Sequence, residues 1–314
     1  MNREVYLHIG YPKTGSKFLQ FEIFPRLAGI HYVPSPLIRT ETSRILKQDE
    51  FSFDEEEVRR GIERRLREGK NLISNEGFIG DFFIYRLINS KLIADRLARL
   101  FPQAKILIVL RSQPGLIESL YKQYLHIGGT KGLREFVGFR NGRFDSSYYD
   151  GGFGVNLDLF HYLPLISYYE KLFGKERLLI LPFELLKKSR DEFLRRVLVW
   201  MGVAEFPRYE NRVYNEGYGA RQVTVARFFN RFLKSKLRET GLFPDVAFPV
   251  TGKIDAGKAR MILQSPLSRR LLGRKPIRDE LLKAKIREHY GESNRVLNEK
   301  YQLGLEAICP DEYF

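Results

Sequence analysis

An α/β fold with a central parallel sheet flanked by helices is what this sequence predicts, and three observations predict it. Short apolar runs (Val5–Ile9, Ile106–Leu110, Leu178–Leu181) alternate with longer stretches of helical period. Ile106–Leu110 is apolar without interruption, as parallel strands buried on both faces are. The first run also ends in a glycine-bounded loop that leads straight into a helical pattern, the strand–loop–helix order of α/β proteins.

In chain order, Val5–Ile9 is a strand closed by Gly10, and Ser16–Leu27 a helix. Asp54–Arg67, strongly charged with sparse apolar positions, predicts an exposed helix. Asn71–Ser74 is a short strand, and Ser90–Leu100 an amphipathic helix with Ser90 as its cap. After the strand Ile106–Leu110, Pro114 suits the first turn of a helix that runs to about His126. Ile127–Gly154 is glycine-rich and carries Lys131, Arg134, Arg140, Arg143, Tyr148 and Tyr149, which predicts a long functional loop or lid. Helix Leu157–Phe173, strand Leu178–Leu181 and helix Asp191–Met201 restore the alternation. Asn215–Ala220 is a glycine-bearing turn before a basic helix of about Arg221–Arg238; Gly241–Gly257 is irregular; helical sequence resumes from Arg278 to about Lys300. Neither repeats nor a boundary interrupt the chain, so residues 1–314 are expected to form one domain with a C-terminal helical portion.

A chain of 314 residues with 43% hydrophobic and 29% charged content can bury a core without metal or disulfide staples. The single Cys309 excludes an intrachain disulfide and a cysteine zinc site, and fits a reducing compartment. Neither a membrane-length apolar run nor a signal-peptide core is present, so a cytoplasmic protein is expected, with contact to a membrane surface left open. The net charge of +15 attracts polyanions: nucleic acid, acidic lipids, anionic glycans or a highly charged nucleotide. Its lysines and arginines are dispersed rather than gathered in one reading helix, which speaks against a nucleic-acid module.

The most informative segment is His8–Gln20, HIGYPKTGSKFLQ. Gly10 and Gly15 have the glycine spacing of a Walker A loop, whose second glycine is followed by Lys and then Ser or Thr. Here Ser16 precedes Lys17, Lys13 sits inside the loop, and Phe18 takes the place of the magnesium-holding hydroxyl. The run Ile106–Leu110 ends in Arg111 rather than in a Walker B aspartate. A metal-free transfer, with lysine neutralising the leaving oxygen, fits better than metal-assisted cleavage of a nucleoside triphosphate; a P-loop kinase or NTPase is the alternative.

YPKTGSKFLQ closely resembles the 5′-phosphosulfate loop of sulfotransferases that use 3′-phosphoadenosine-5′-phosphosulfate (PAPS), commonly P-K-[TS]-G-[ST]-[ST]. The resemblance implies a P-loop-like sulfotransferase fold. It assigns Lys13 to the bridging and sulfuryl oxygens, and Thr14, Gly15, Ser16 and Phe18 to the 5′-phosphate. Lys17 stands where the family has Ser or Thr; it either adds a phosphate contact or faces solvent.

A second match is Ile106–Tyr124, ILIVLRSQPGLIESLYKQY. Arg111 closes a buried strand and Ser119 follows eight residues later in the next helix, so a guanidinium fork and a hydroxyl can converge on one phosphate. The family carries this spacing as its 3′-phosphate element, with Pro and Tyr placed as Pro114 and Tyr121 are. Leu181–Leu185 (LPFEL) and the tail with Tyr290, Ser293 and Asn294 are similar to family segments and read as structural, with Glu184 a packing or capping residue.

Transfer also needs a base for the acceptor proton. Glu76, just after the strand Asn71–Ser74, is the candidate, because glycan sulfotransferases use a glutamate at a comparable strand end; a surface glutamate opening a turn is the alternative. His126 is the rival base and His8 a weaker one. Tyr218, Gly219 and Arg221 would form a late loop over adenine or the 3′-phosphate, or simply a turn leading into a helix. What the resemblance implies is sulfuryl transfer from PAPS, without a metal, to a hydroxyl or amine of a glycan, glycolipid or other metabolite. The basic surface favours an anionic or membrane-associated acceptor.

Overall fold

The computed structural model of the chain describes residues 3–80, 89–145, 155, 157–210, 218–235, 237, 266–273 and 275–314. Its strands are β1 (Arg3–His8), β2 (Ile30–Pro34), β3 (Gly69–Ser74), β4 (Lys105–Leu110), β5 (Phe139–Arg140), β6 (Arg143–Phe144) and β7 (Leu178–Pro182). Five of them form one parallel sheet in the order β2–β3–β1–β4–β7, while β5 and β6 pair as an antiparallel hairpin. The α/β fold with a central parallel sheet read from the sequence is therefore observed.

Two compact units make up the chain, the first formed by Met1–Gln113, Leu159–Tyr214 and Glu288–Phe314, the second by Pro114–Asp158 and Asn215–Arg287. The sheet belongs to the first. Ile106 to Leu110 are completely buried, which explains the unbroken apolar run, and strands this apolar need cover on both faces. Tyr6, Leu72, Leu107 and Val109 from the sheet pack with Phe18, Leu19, Ile23 and Phe24 after the first loop, and with Phe193, Leu194, Val197 and Met201. Each such side chain contributes about 1.5–3 kcal/mol when fully buried. The helical stretch behind the loop is thus pinned by its own core residues.

β1 lies between β3 and β4, with His8 opposite Ser74 on one side and Leu107 on the other. Its ladder runs past the strand end, since Ile9 N donates to Leu107 O at 3.0 Å and Tyr11 N to Val109 O at 3.3 Å. The C-terminal ends of three neighbouring strands thus meet where the chain changes sides, the place where open α/β sheets take ligands.

Several elements depart from the sequence expectation. The predicted helix Ser16–Leu27 is composite: an α-helical turn α1 (Ser16–Phe18), a π turn (Leu19–Ile23) and a 3-10 turn (Phe24–Arg26). Pro25 has no N–H with which to continue the α-helical ladder. Strand β2 and helix α2 (Arg39–Lys47) were not expected at all. The charged helix is shorter than Asp54–Arg67: α3 spans Glu55–Glu63, with Asp54 Oδ1 accepting from Glu57 N at 2.8 Å. Helix α4 covers Ser90–Leu100 as expected, but Asn89 rather than Ser90 holds the cap position.

Helix α5 runs Gln113–His126. The predicted loop after it contains a short helix α6 (Leu133–Phe136) and the β5–β6 hairpin; Tyr148 and Tyr149 lie outside the described residues. The predicted helix Leu157–Phe173 divides at His161 into a 3-10 turn (Leu157–Phe160) and α7 (Tyr162–Phe173). Helices α8 (Phe183–Lys188) and α9 (Arg190–Met201) follow β7. The basic helix α10 is Ala220–Asn230, ending well before Arg238. Its Asn230 side chain donates to Leu125 O at 2.8 Å and Gly129 O at 2.7 Å, which fixes that end. Asn215–Gly217, Arg238 and Gly241–Gly257 lie outside the described residues. A last long helix spans Glu280–Tyr301. None of the helices among the described residues is long and apolar enough to cross a membrane.

Candidate active site

The loop after β1 is shaped by two residues in the left-handed region, Lys13 (φ 68) and Gly15 (φ 85). A Cβ on Gly15 would stand 2.8 Å from Leu186 Cδ2 and 3.1 Å from Phe183 Cε2, so the loop rests directly on α8 and only glycine fits. Lys13 has no such excuse. A non-glycine residue in this region costs about 1–3 kcal/mol and persists only where its surroundings hold it. Two bonds do so: the buried Thr14 hydroxyl donates to the Tyr11 carbonyl, and Arg111 Nη1 donates to the Lys13 carbonyl at 2.8 Å.

Arg111 in turn leans on the Phe183 ring, its guanidinium carbon 5.1 Å from the ring centre, and its own carbonyl accepts from Tyr162 Oη at 2.6 Å. Behind it, Glu184 is buried and accepts from Ser112 N at 3.2 Å and from Tyr313 Oη at 2.6 Å. The structural role expected for Glu184 is what these bonds describe. Asn294 exchanges two 3.0 Å hydrogen bonds with Gln113.

Glu76 arrives from the other side. Asn75 N donates to His8 O at 3.1 Å, and Asn75 Oδ1 accepts from Gly77 N at 2.8 Å, opening a 3-10 turn over Glu76–Ile79. The Glu76 carboxyl thereby comes within electrostatic reach of Lys13, Lys17 and Ser16. Burial raises its pKa above the ordinary carboxylate value, although Ser16, Lys13 and Lys17 all pull it down. The Ser16 hydroxyl favours the charged form without closing a hydrogen bond of regular geometry. Burial lowers the Lys13 pKa; Glu76 opposes that shift, while Arg111 and Lys17 add to it. An acid and a base, each displaced toward neutrality, face each other across the loop.

Beneath the loop, His8 is fully buried, edge-on to Phe24 at 5.3 Å between ring centres, with Nδ1 2.7 Å from Ser74 Oγ. Gln20 Nε2 donates to the same Ser74 hydroxyl at 2.9 Å. Burial lowers the His8 pKa to about 3, so the ring is neutral at physiological pH.

Lys17 is exposed, and Phe18, in the position a Walker loop gives to a hydroxyl, is buried in the core. The Arg190 guanidinium lies 4.7 Å above the Phe18 ring and 5.7 Å from that of Tyr209. Arg190 and Tyr209 line a cleft of about 380 Å³ with Leu186, Lys187, Ser189 and Asp191. Nothing in the sequence assigns Arg190, Phe183, Ser74 or Gln20 a place around the loop, because their relation to it exists only after folding.

Lys13, Thr14, Gly15, Ser16, Lys17, Phe18, Glu76 and Arg111 all belong to the first unit, whereas Ser119, His126, Tyr218, Gly219 and Arg221 belong to the second. There, Ser119 is half-buried on α5. His126 Nδ1 lies 3.2 Å from Tyr218 Oη. Gly219 N donates to Gln222 Oε1 at 2.7 Å at the start of α10, and Arg221 is exposed.

No family model matches the chain, and no curated protein matches it. Among solved structures it is similar to a sulfotransferase from Alicyclobacillus acidocaldarius, with TM-score 0.49 and 17% identity over 69% of this chain and 87% of that one. It is also similar to mouse sulfotransferase SULT7A1 complexed with PAP, with TM-score 0.39 and 16% identity over 95% and 82%. A third similar structure is the sulfotransferase domain from the curacin biosynthetic pathway, with TM-score 0.37 and 12% identity over 66% and 76%.

Proposed function

We propose that this chain is a sulfotransferase that moves a sulfuryl group from PAPS to a hydroxyl or amine of an acceptor. The observation that carries the proposal is the strained Lys13, held by Arg111 from behind, with the Glu76 carboxyl facing it. The residues of this loop suit a phosphosulfate: cationic and hydroxyl groups (Lys13, Ser16, Lys17) sit beside a glycine that keeps the backbone open to a close ligand.

PAPS supplies an activated sulfuryl group and a stable leaving bisphosphate. In the proposed chemistry Glu76 accepts the proton of the acceptor O–H or N–H as that atom bonds to sulfur. The bond from sulfur to the bridging oxygen breaks, its electron pair stays on the departing phosphate oxygen, and Lys13 neutralises that oxygen. The products are the sulfated acceptor and adenosine 3′,5′-bisphosphate. Thr14 holds the loop, Ser16 and Lys17 serve the 5′-phosphate, and Arg111 with Ser119 serves the 3′-phosphate. Tyr218, Gly219 and Arg221 complete the nucleotide site. Glu76 is the preferred base because its carboxyl lies within electrostatic reach of Lys13 in the same unit.

On this reading both units act as one sulfotransferase domain, no metal enters the transfer, and the enzyme works in the cytoplasm. The acceptor is a glycan, glycolipid or other metabolite, anionic or membrane-associated, and nucleic acid is not a substrate. Calorimetric titration with adenosine 3′,5′-bisphosphate, against adenosine 5′-monophosphate and Mg-ATP, tests the proposal. Metal-independent binding that needs the 3′-phosphate is expected; preference for Mg-ATP would reopen the kinase alternative.

A further inference from the structure

Helix α10 presents an unusual outer face. Gln222, Val223, Ala226 and Asn230 are buried, and the Asn230 amide ties that side to the carbonyls of Leu125 and Gly129. The opposite side carries Phe228, Phe229 and, in the following turn, Phe232, which are 56%, 51% and 37% exposed. Their rings pack on one another edge to face, with centres 5.6 Å apart for Phe228–Phe229 and 5.4 Å for Phe228–Phe232. An exposed contiguous aromatic cluster on the outer face of a helix marks an interaction surface rather than ordinary scattered apolar residues.

The charge of the same segment names the partner. From Arg221 to Arg238 the sequence has six basic residues and no acidic one. Arg231 and Lys234, which flank Phe232, are both exposed. A helix that is apolar at its outward crest and cationic around it lies in the interface of an acidic bilayer, with aromatic rings among the acyl chains and cations among the headgroups. A single-stranded nucleic acid would need flat ring faces open to successive bases. Here the interplanar angles of 82° and 62° turn the rings edge-on to each other and make a compact apolar knob. We propose that the Phe228–Phe229–Phe232 cluster with its basic flanks docks this protein on membranes rich in acidic lipid. The inference is independent of the sulfuryl-transfer proposal.

The test is co-sedimentation of the full chain with phosphatidylserine–phosphatidylcholine vesicles and with pure phosphatidylcholine vesicles. Binding to the acidic vesicles is expected, with at least about tenfold weaker binding to the neutral ones and a decline with added salt. The triple variant Phe228→Ala, Phe229→Ala, Phe232→Ala is expected to lose at least about tenfold in affinity for the acidic vesicles at an unchanged melting temperature. Should the triple variant fold poorly, Phe232→Trp gives a second readout, a blue shift of the added indole's emission on acidic vesicles. Failure of the wild-type chain to bind acidic vesicles overturns the proposal. Equal binding by wild type and a folded triple variant also overturns it, because adsorption would then follow net charge alone. Phenylalanine-dependent binding to single-stranded oligonucleotide in preference to vesicles overturns it in favour of a nucleic-acid surface.

Discussion

Arg111 Nη1 donates to the main-chain carbonyl of Lys13 at 2.8 Å, so the proposed 3′-phosphate ligand also supports the left-handed backbone of the proposed catalytic lysine. Replacing Arg111 therefore reaches two functions at once. Arg111→Ala is expected to weaken adenosine 3′,5′-bisphosphate by about 10–100-fold while changing the affinity for adenosine 5′-monophosphate much less. It should also lower turnover at saturating donor, because Lys13 loses its support. Calorimetry and steady-state kinetics read the two effects separately. Arg111→Lys is expected to rescue neither fully, since an ammonium cannot supply the planar fork.

Lys13→Ala removes the charge proposed to meet the leaving oxygen. A loss of about 10²–10³-fold in turnover is expected, with bisphosphate binding reduced far less. Single-turnover sulfuryl transfer measures the first and calorimetry the second. Equal losses in both would make Lys13 a binding residue only.

Glu76 has a pKa raised above the ordinary carboxylate value by burial. As a base it must be ionised, so the rate should fall as pH drops through that elevated pKa. Glu76→Gln is expected to lose about 10²–10⁴-fold in turnover, to lose this acid limb, and to keep its nucleotide affinity. The stability effect has the opposite sign. A carboxyl with a raised folded-state pKa stabilises the fold below its unfolded value and loses that contribution as pH rises through the folded value. Thermal melting at neutral pH should therefore show Glu76→Gln no less stable than wild type; a marked drop in melting temperature would contradict the burial argument.

His8 supplies a pH effect of the other sense. Its folded pKa of about 3 lies below the ordinary histidine value of 6.5, so the unfolded chain takes up a proton that the folded chain refuses. Stability contributed by the neutral ring is whole above pH 6.5 and is lost progressively toward pH 3. Denaturation midpoints of wild type and His8→Gln, compared between neutral and mildly acidic pH, should converge as the pH falls. Parallel curves would mean that His8 is accessible to protons.

Much of this was legible in the sequence, and what was not has identifiable causes. The unbroken apolar run at β4 and the glycine-bounded loop announce a parallel sheet and its ligand edge, because burial on both faces leaves no polar position in a strand. β2 escaped notice because five residues, IHYVP, carry no period that separates strand from loop. The π turn after the loop was unreadable because Leu19–Ile23 has ordinary helical composition. Candidate site residues within one continuous segment, Lys13 to Phe18, could be named from the resemblance of that segment to a phosphosulfate loop. The contacts of Ser74 with His8 and Gln20, and of Phe183 with Arg111, depend on parallel register and helix packing. Spacing along the chain encodes neither.

The first unit is drawn from three separated stretches, and the partners of its buried groups are shared among them: Gln113 with Asn294, and Glu184 with Tyr313. During synthesis, then, β1 to β4 can emerge and begin to pair, but the site cannot mature until residues some two hundred positions downstream have left the ribosome. A chain arrested before Glu288 would hold the loop sequence intact and still leave Gln113 and Glu184 without those answering groups. Released full-length chains and released chains truncated before Glu288 should accordingly differ sharply in protease resistance.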